Sequence, residues 1–84
     1  MKANIYLRDT KLVQTDGGAT IRYSVPSIKT YGTVRELLDG FDEIEIFTDS
    51  FKDSDLNFIY YLVIQGYWVK LTITNNNKIK WKGY

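Results

Sequence analysis

The sequence predicts one small α+β domain over residues 1–84, with elements in the order ββαβαββ, a single mixed sheet and two helices packed on one face. Three observations lead there. Apolar and polar residues alternate in several separate stretches, two intervening segments carry helix start and stop signals, and glycine or asparagine clusters stand where the chain must reverse.

Ile5-Tyr6-Leu7-Arg8 alternates apolar with polar, and so does Ala19-Thr20-Ile21-Arg22-Tyr23-Ser24-Val25. Period two marks half-buried strands. Leu12-Val13-Gln14 reads as a continuation of the first strand past an irregularity at Asp9-Thr10-Lys11, and Asp16-Gly17-Gly18 supplies residues tolerant of positive φ, as a tight turn needs. Residues 3–26 are therefore expected to form an antiparallel hairpin, ended by Pro26, which cannot donate to a ladder.

Thr33-Val34-Arg35-Glu36 has the form of a capping box opening a short helix, with Leu37 and Leu38 on its buried side and Gly40 as the residue that stops it. Ile44 and Ile46 then alternate with Glu43 and Glu45, a third strand with an acidic face. Asp53-Ser54-Asp55 offers caps and carboxylates to a second helix over about 55–65, ended at Gly66. Phe58 to Ile64 also has strand propensity, which leaves a hairpin through Gln65-Gly66 open. Helix is preferred because Leu-Leu-Asp-Gly-Phe (37–41) and Val-Ile-Gln-Gly-Tyr (63–67) repeat one phrase: helix, stopping glycine, aromatic, strand. Such a helix is apolar nearly all round and is expected to be well buried. Val69, Leu71 and Ile73, and after Asn75-Asn76-Asn77 the pair Ile79 and Trp81, alternate with polar residues as a closing hairpin.

The chain has no cysteine and no histidine. Disulfides, thiolate zinc sites, cysteine nucleophiles and the commonest general base are thereby excluded. Asp53, Asp55 and Asn57 match the first ligands of a calcium loop, but Phe58 and Ile64 stand where glycine and glutamate are required. Asp49 with Asp53 at the end of the third strand could be read as a loose magnesium site; capping explains both residues without an ion. No cofactor, no metal and no enzymatic activity are expected. The longest apolar run, Phe58 to Ile64, is far below the ~20 residues of a membrane span, and with no leader pattern at the start the expectation is a cytoplasmic protein.

Net charge is +1, but residues 1–35 carry +4, residues 36–55 carry −7 and residues 56–84 carry +4. This segregation gives two readings of function. In the first, a non-catalytic binding domain presents Glu36, Asp39, Asp42, Glu43, Glu45, Asp49, Asp53 and Asp55 to a basic protein partner, mimicking nucleic acid. A small phage or mobile-element inhibitor of a host nucleic-acid-handling or defence protein has this general character. In the second, Lys70, Lys78, Lys80 and Lys82 with Trp68 form the outer face of the last hairpin and bind nucleic acid. Opposing both, cross-strand pairs between Glu43 or Glu45 and the lysines would cancel the charge within one sheet. Should neither reading hold, self-association through the terminal strands, as a homo-oligomer with a structural role, is the third expectation.

Overall fold

The computed structural model describes residues 1–24 and 27–74 together with the backbone of 80–82. Five strands, β1 (Lys2–Leu7), β2 (Ala19–Tyr23), β3 (Glu43–Thr48), β4 (Trp68–Ile73) and β5 (Lys80–Lys82), form one sheet in the spatial order β2-β1-β3-β4-β5. A 3-10 turn, Ile28–Thr30, leads into α1 (Tyr31–Leu37), and α2 (Asp53–Ile64) lies between β3 and β4. The Cα radius of gyration is 11.6 Å, against about 12 Å for a single folded unit of this length.

The predicted N-terminal hairpin is not formed. β1 and β2 run parallel, in the register Ala3↔Ala19 to Leu7↔Tyr23, and β1 with β3 and β3 with β4 are parallel as well. Only the short β5 is antiparallel to its neighbour. The reason lies in residues 8–18. They do not extend β1 but carry the chain back across the sheet, so that both strands start at the same end. Asn4 Nδ2 donates to Gly17 O at 2.8 Å, and the Tyr6 hydroxyl donates to Val13 O at 3.1 Å while accepting from Val13 N at 3.3 Å. Gly17 and Gly18 do take positive φ (117° and 98°), but in a crossover and not in a two-residue turn.

This crossover and the helices occupy opposite faces. The chain moves one way along the sheet from β1 to β2 and the other way from β2 past β1 to β3 and β4. Connections of one hand running in opposite directions must lie on opposite faces. On the helix face, Ala3, Ile5, Leu7, Ile44, Ile46, Val69 and Leu71 pack against Tyr31, Val34, Leu38, Phe58 and Leu62, all in one buried cluster. On the other face, the loop covers Asn4, Tyr6 and Phe47, with the two rings stacked at 4.6 Å and 9°.

Local signals explain the helices with two corrections. The box at Thr33 and Glu36 does not open α1; the turn before it is set by Ser27 and Thr30, with Ser27 N donating to Thr30 Oγ1 at 3.3 Å and the Tyr23 hydroxyl donating to the same oxygen. Thr33 therefore lies inside α1. α2 begins earlier than expected, at Asp53, because Asp55 accepts from Lys52 N at 3.0 Å and closes its first turn. Gly40 and Gly66 stand beyond the two helix ends with φ of 88° and 98°, the conformation that stops a helix. α2 is a helix but is not buried all round: Leu56, Tyr60 and Ile64 remain 45%, 67% and 60% exposed. The expected stop at Pro26 and the Asn75–Asn77 turn lie outside the described residues.

Candidate functional site

In a parallel sheet the ends of two neighbouring strands whose connections depart to opposite faces leave a crevice where ligands commonly sit. Here that crevice lies beyond the C-terminal ends of β1 and β3. It is filled by the protein's own side chains. The Arg8 guanidinium donates from Nη1 to Asp55 Oδ1 (3.0 Å) and from Nη2 to Asp55 Oδ2 (2.7 Å), Thr48 Oγ1 (3.1 Å) and Ser50 O (2.9 Å). Beside it, Thr10 Oγ1 donates to Leu7 O and accepts from Asp49 N at 3.0 Å, tying the two diverging strand ends together. The hydrogen bond to Asp55 raises the Arg8 pKa further, so this cation is permanent. Asp49 stands against Thr10, and among the described residues no group of three or more acidic side chains is placed to hold a metal ion.

The other end of the sheet is open. On the loop face a groove of about 330 Å³ is lined by Lys2, Asp16, Glu43, Ile44, Glu45, Trp68, Val69 and Lys70. Strand alternation builds it: Ala3, Ile44 and Val69 point into the core, so Lys2, Glu43, Glu45, Trp68 and Lys70 must point the other way. The register sets Glu43 opposite Trp68 and Glu45 opposite Lys70. At the floor, Glu45 accepts from Lys2 Nζ (2.8 Å) and Thr72 Oγ1 (2.7 Å), with Lys70 Nζ at 3.8 Å. Lys2 reaches Asp16 as well, at 2.6 Å. At the rim, Trp68 is 68% exposed, and the Glu43 carboxylate makes no ion pair within 4 Å among the described residues, although its charge helps raise the pKa of the N-terminal ammonium that Asp42 holds.

Burial pushes the Glu45 carboxyl up, but the hydrogen bonds from Lys2 and Thr72 and the charges of Lys2 and Lys70 outweigh it and leave the group below its ordinary value. Lys2 responds in kind: burial lowers its pKa, and the bonds to Asp16 and Glu45 more than restore it. A carboxylate whose pKa is lower folded than unfolded stabilises the fold above its ordinary range and stops doing so as pH falls through the folded value. Glu45→Gln is therefore expected to cost about 1–3 kcal/mol at neutral pH, the range for a charged hydrogen-bonded group. At pH 3 the difference from the parent should shrink, and urea denaturation at the two pH values checks this. An equal loss at both would show that packing, not charge, carries the effect.

The eight carboxylates singled out in the sequence do not share one surface. Glu36 and Asp39 line an open depression with Gly32, Arg35, Tyr61 and Tyr67 on the helix side. Asp42 pairs with the N-terminal ammonium at 2.8 Å, and that hydrogen bond lowers its carboxyl pKa. Glu43 and Glu45 are in the groove. Asp49, Asp53 and Asp55 lie beyond the far end of β3, roughly 20 Å from Asp42 at a strand rise of ~3.3 Å per residue, and Asp55 is fully buried. Of the basic set, Trp68 and Lys70 are in the same groove as Glu43 and Glu45. Lys78 and the side chains of Lys80 and Lys82 lie outside the described residues. The structure thus sets Glu43 and Glu45 beside Trp68 and Lys70, in keeping with the expected cross-strand pairing of glutamate with lysine.

Sequence reasoning missed Lys2, Arg8 and Asp16. Period-two alternation extended one residue back from Ala3 would have placed Lys2 on the polar face, but no local pattern announces the partners of Arg8. No protein-family model, curated protein or solved structure matches this chain. No helix among the described residues is long and apolar enough to cross a membrane.

Proposed function

We propose that the protein is a non-catalytic protein-binding domain that takes a basic side chain of a partner protein into the groove at Trp68 and Glu43. The observation that carries this reading is an exposed indole opposite a carboxylate without an ion pair among the described residues, over a floor where Lys2 pairs with both Asp16 and Glu45 and Lys70 lies 3.8 Å from Glu45. Among the described lining residues, Lys2 and Lys70 face Asp16, Glu43 and Glu45, so the carboxylates outnumber the cations by one there. A guanidinium or ammonium could stack on Trp68 and pair with Glu43 at once. A phosphate would meet lysines whose charge Glu45 offsets. Each of these contacts is modest at an exposed site, so the groove acts as an anchor within a larger interface with a basic protein, such as one that handles nucleic acid.

Lys70 separates this reading from nucleic-acid binding. Lys70→Ala removes a cation that repels a basic ligand and attracts a phosphate. Anisotropy of a labelled oligoarginine peptide should show about 2- to 5-fold weaker binding for Trp68→Ala and for Glu43→Gln, no change for Asp53→Asn at the far end, and unchanged or tighter binding for Lys70→Ala. A labelled single-stranded oligonucleotide serves as the opposing probe. Salt-sensitive oligonucleotide binding that Lys70→Ala weakens, with no peptide binding, would overturn the proposal in favour of a nucleic-acid interface.

A further inference from the structure

Glu43 stands between two cross-strand neighbours, and neither closes an ion pair with it. On the β1 side the register sets Lys2 opposite, but the Lys2 ammonium is drawn away to Asp16 at 2.6 Å and to Glu45 at 2.8 Å. On the β4 side Glu43 faces Trp68, on a strand about 4.8 Å away. Ile44 and Val69 belong to the core, so the Glu43 and Trp68 side chains both stand on the loop face, where the indole is 68% exposed. The N-terminal ammonium close by is held by Asp42 at 2.8 Å. Below, Glu45 is 7% exposed and already accepts from Lys2 and Thr72. The rim therefore offers an aromatic plane and a carboxylate side by side, both open to water.

We propose, in an inference that rests on the function given above, that this rim selects arginine over lysine as the side chain it takes from the partner. Exposure decides between the two cations. At an open carboxylate an ion pair contributes little, whichever cation supplies it, so the pairing with Glu43 does not by itself discriminate. The discriminating contact is the one with the indole. An ammonium is compact and strongly hydrated; it reaches Trp68 and Glu43 together only by giving up part of that hydration, and it has no plane to lay on the ring. A guanidinium is planar and more weakly hydrated, stacks by its face and donates by its edge. These two directions are perpendicular, so a guanidinium lying on Trp68 keeps its N–H fork free to reach the carboxylate on the neighbouring strand. Because Glu45 is covered and already satisfied, that fork is directed to Glu43.

Octaarginine and octalysine with the same label carry the same side-chain charge, so general attraction to carboxylates acts on both and the ratio of their affinities reads the head group. By anisotropy, the full chain should bind octaarginine about 2- to 5-fold more tightly than octalysine. Trp68→Leu keeps an apolar side chain without a ring and should bring the two peptides to parity, whereas Trp68→Phe should retain part of the preference. Glu43→Gln should weaken both peptides, octaarginine the more. In a direct reading of the contact, N-acetylarginine amide should shift the Trp68 indole N–H resonance, assigned by its loss in Trp68→Leu, further than N-acetyllysine amide does at the same concentration. Equal binding of the two peptides, both weakened by Glu43→Gln, would overturn the preference and leave the binding function standing. An octaarginine preference that survives Trp68→Leu would place the selection elsewhere and overturn the inference as well. Binding of neither peptide would remove the function it rests on, and the inference with it.

Discussion

Arg8→Ala is expected to lower the unfolding free energy by about 3–5 kcal/mol, a large part of the roughly 5–15 kcal/mol available to a domain. The guanidinium makes two hydrogen bonds to Asp55 at 2.7 and 3.0 Å and two more to Thr48 and Ser50, so one substitution removes the link between β1, the end of β3 and the first turn of α2. The cost comes from what stays behind. Asp55 is wholly buried and, of the partners described, would keep only the Lys52 amide. Arg8→Lys retains a charge but not the paired geometry and should fall between. Asp55→Asn in the Arg8→Ala background removes the stranded charge, so the double variant should be more stable than the sum of the single losses predicts. Urea denaturation of the four proteins reads this coupling directly. Strict additivity would mean that the pair is a bystander to the fold.

Arg8 also marks where sequence reading reaches its limit. Its φ is 57°, in the left-handed region that a residue with a branched-off Cβ avoids at a cost of about 1–2 kcal/mol. Nothing in Leu7-Arg8-Asp9 signals this conformation. It is imposed by contacts distant in the chain: Arg8 N donates to Tyr23 O at 3.1 Å, and the side chain is fixed 47 residues away at Asp55. By contrast, the segments around Gly40 and Gly66 were legible because a stopping glycine acts locally. The faces of β3 and β4 were legible because alternation is local too, and the expected Glu–Lys pairing across strands is present between Glu45 and Lys70. Alternation is silent on direction. Parallel and antiparallel neighbours show the same period, and only the path of residues 8–18 decides between them. The acidic segment was misleading for a related reason: residues 36–55 run from the end of α1 through β3 into α2, which places Glu36 and Asp39 on the helix side, Glu43 and Glu45 in the groove and Asp55 in the interior, so charge density along the chain did not become charge density on a surface.

The two ends of the sheet have accordingly become different things. The crevice at the C-terminal strand ends is closed by Arg8, Thr10 and Asp55, and the groove on the loop face toward the other end is left open with an exposed indole and a carboxylate that has no ion pair among the described residues. Internal pairing consumes the polar groups at the first place and, among the described residues, leaves Glu43 over at the second. That contrast, more than the acidic composition of residues 36–55, is what the proposed docking of a basic side chain at Trp68 rests on.

Gly18→Ala is expected to be nearly as damaging as Arg8→Ala, by a steric route. A Cβ at Gly18 would lie 2.4 Å from the carbonyl oxygen of Lys2 and 3.0 Å from its carbonyl carbon, backbone atoms of β1 that cannot swing aside. Its φ of 98° is also one that L residues avoid. Overpacking of about 1–3 kcal/mol and a conformational cost of about 1–2 kcal/mol both apply, for a total near 2–5 kcal/mol. Gly17→Ala isolates the second contribution: its φ is 117°, but a Cβ there meets nothing within 4 Å, so it should cost only the conformational part. The difference between the two alanine variants in urea denaturation measures how tightly the loop rests on β1. It should be accompanied by loss of the Lys2–Asp16 pair, because relieving the overlap lifts the loop off the strand that carries Lys2. Equal destabilisation by the two variants would show that the loop has room to move, and that the parallel register of β2 does not depend on this contact.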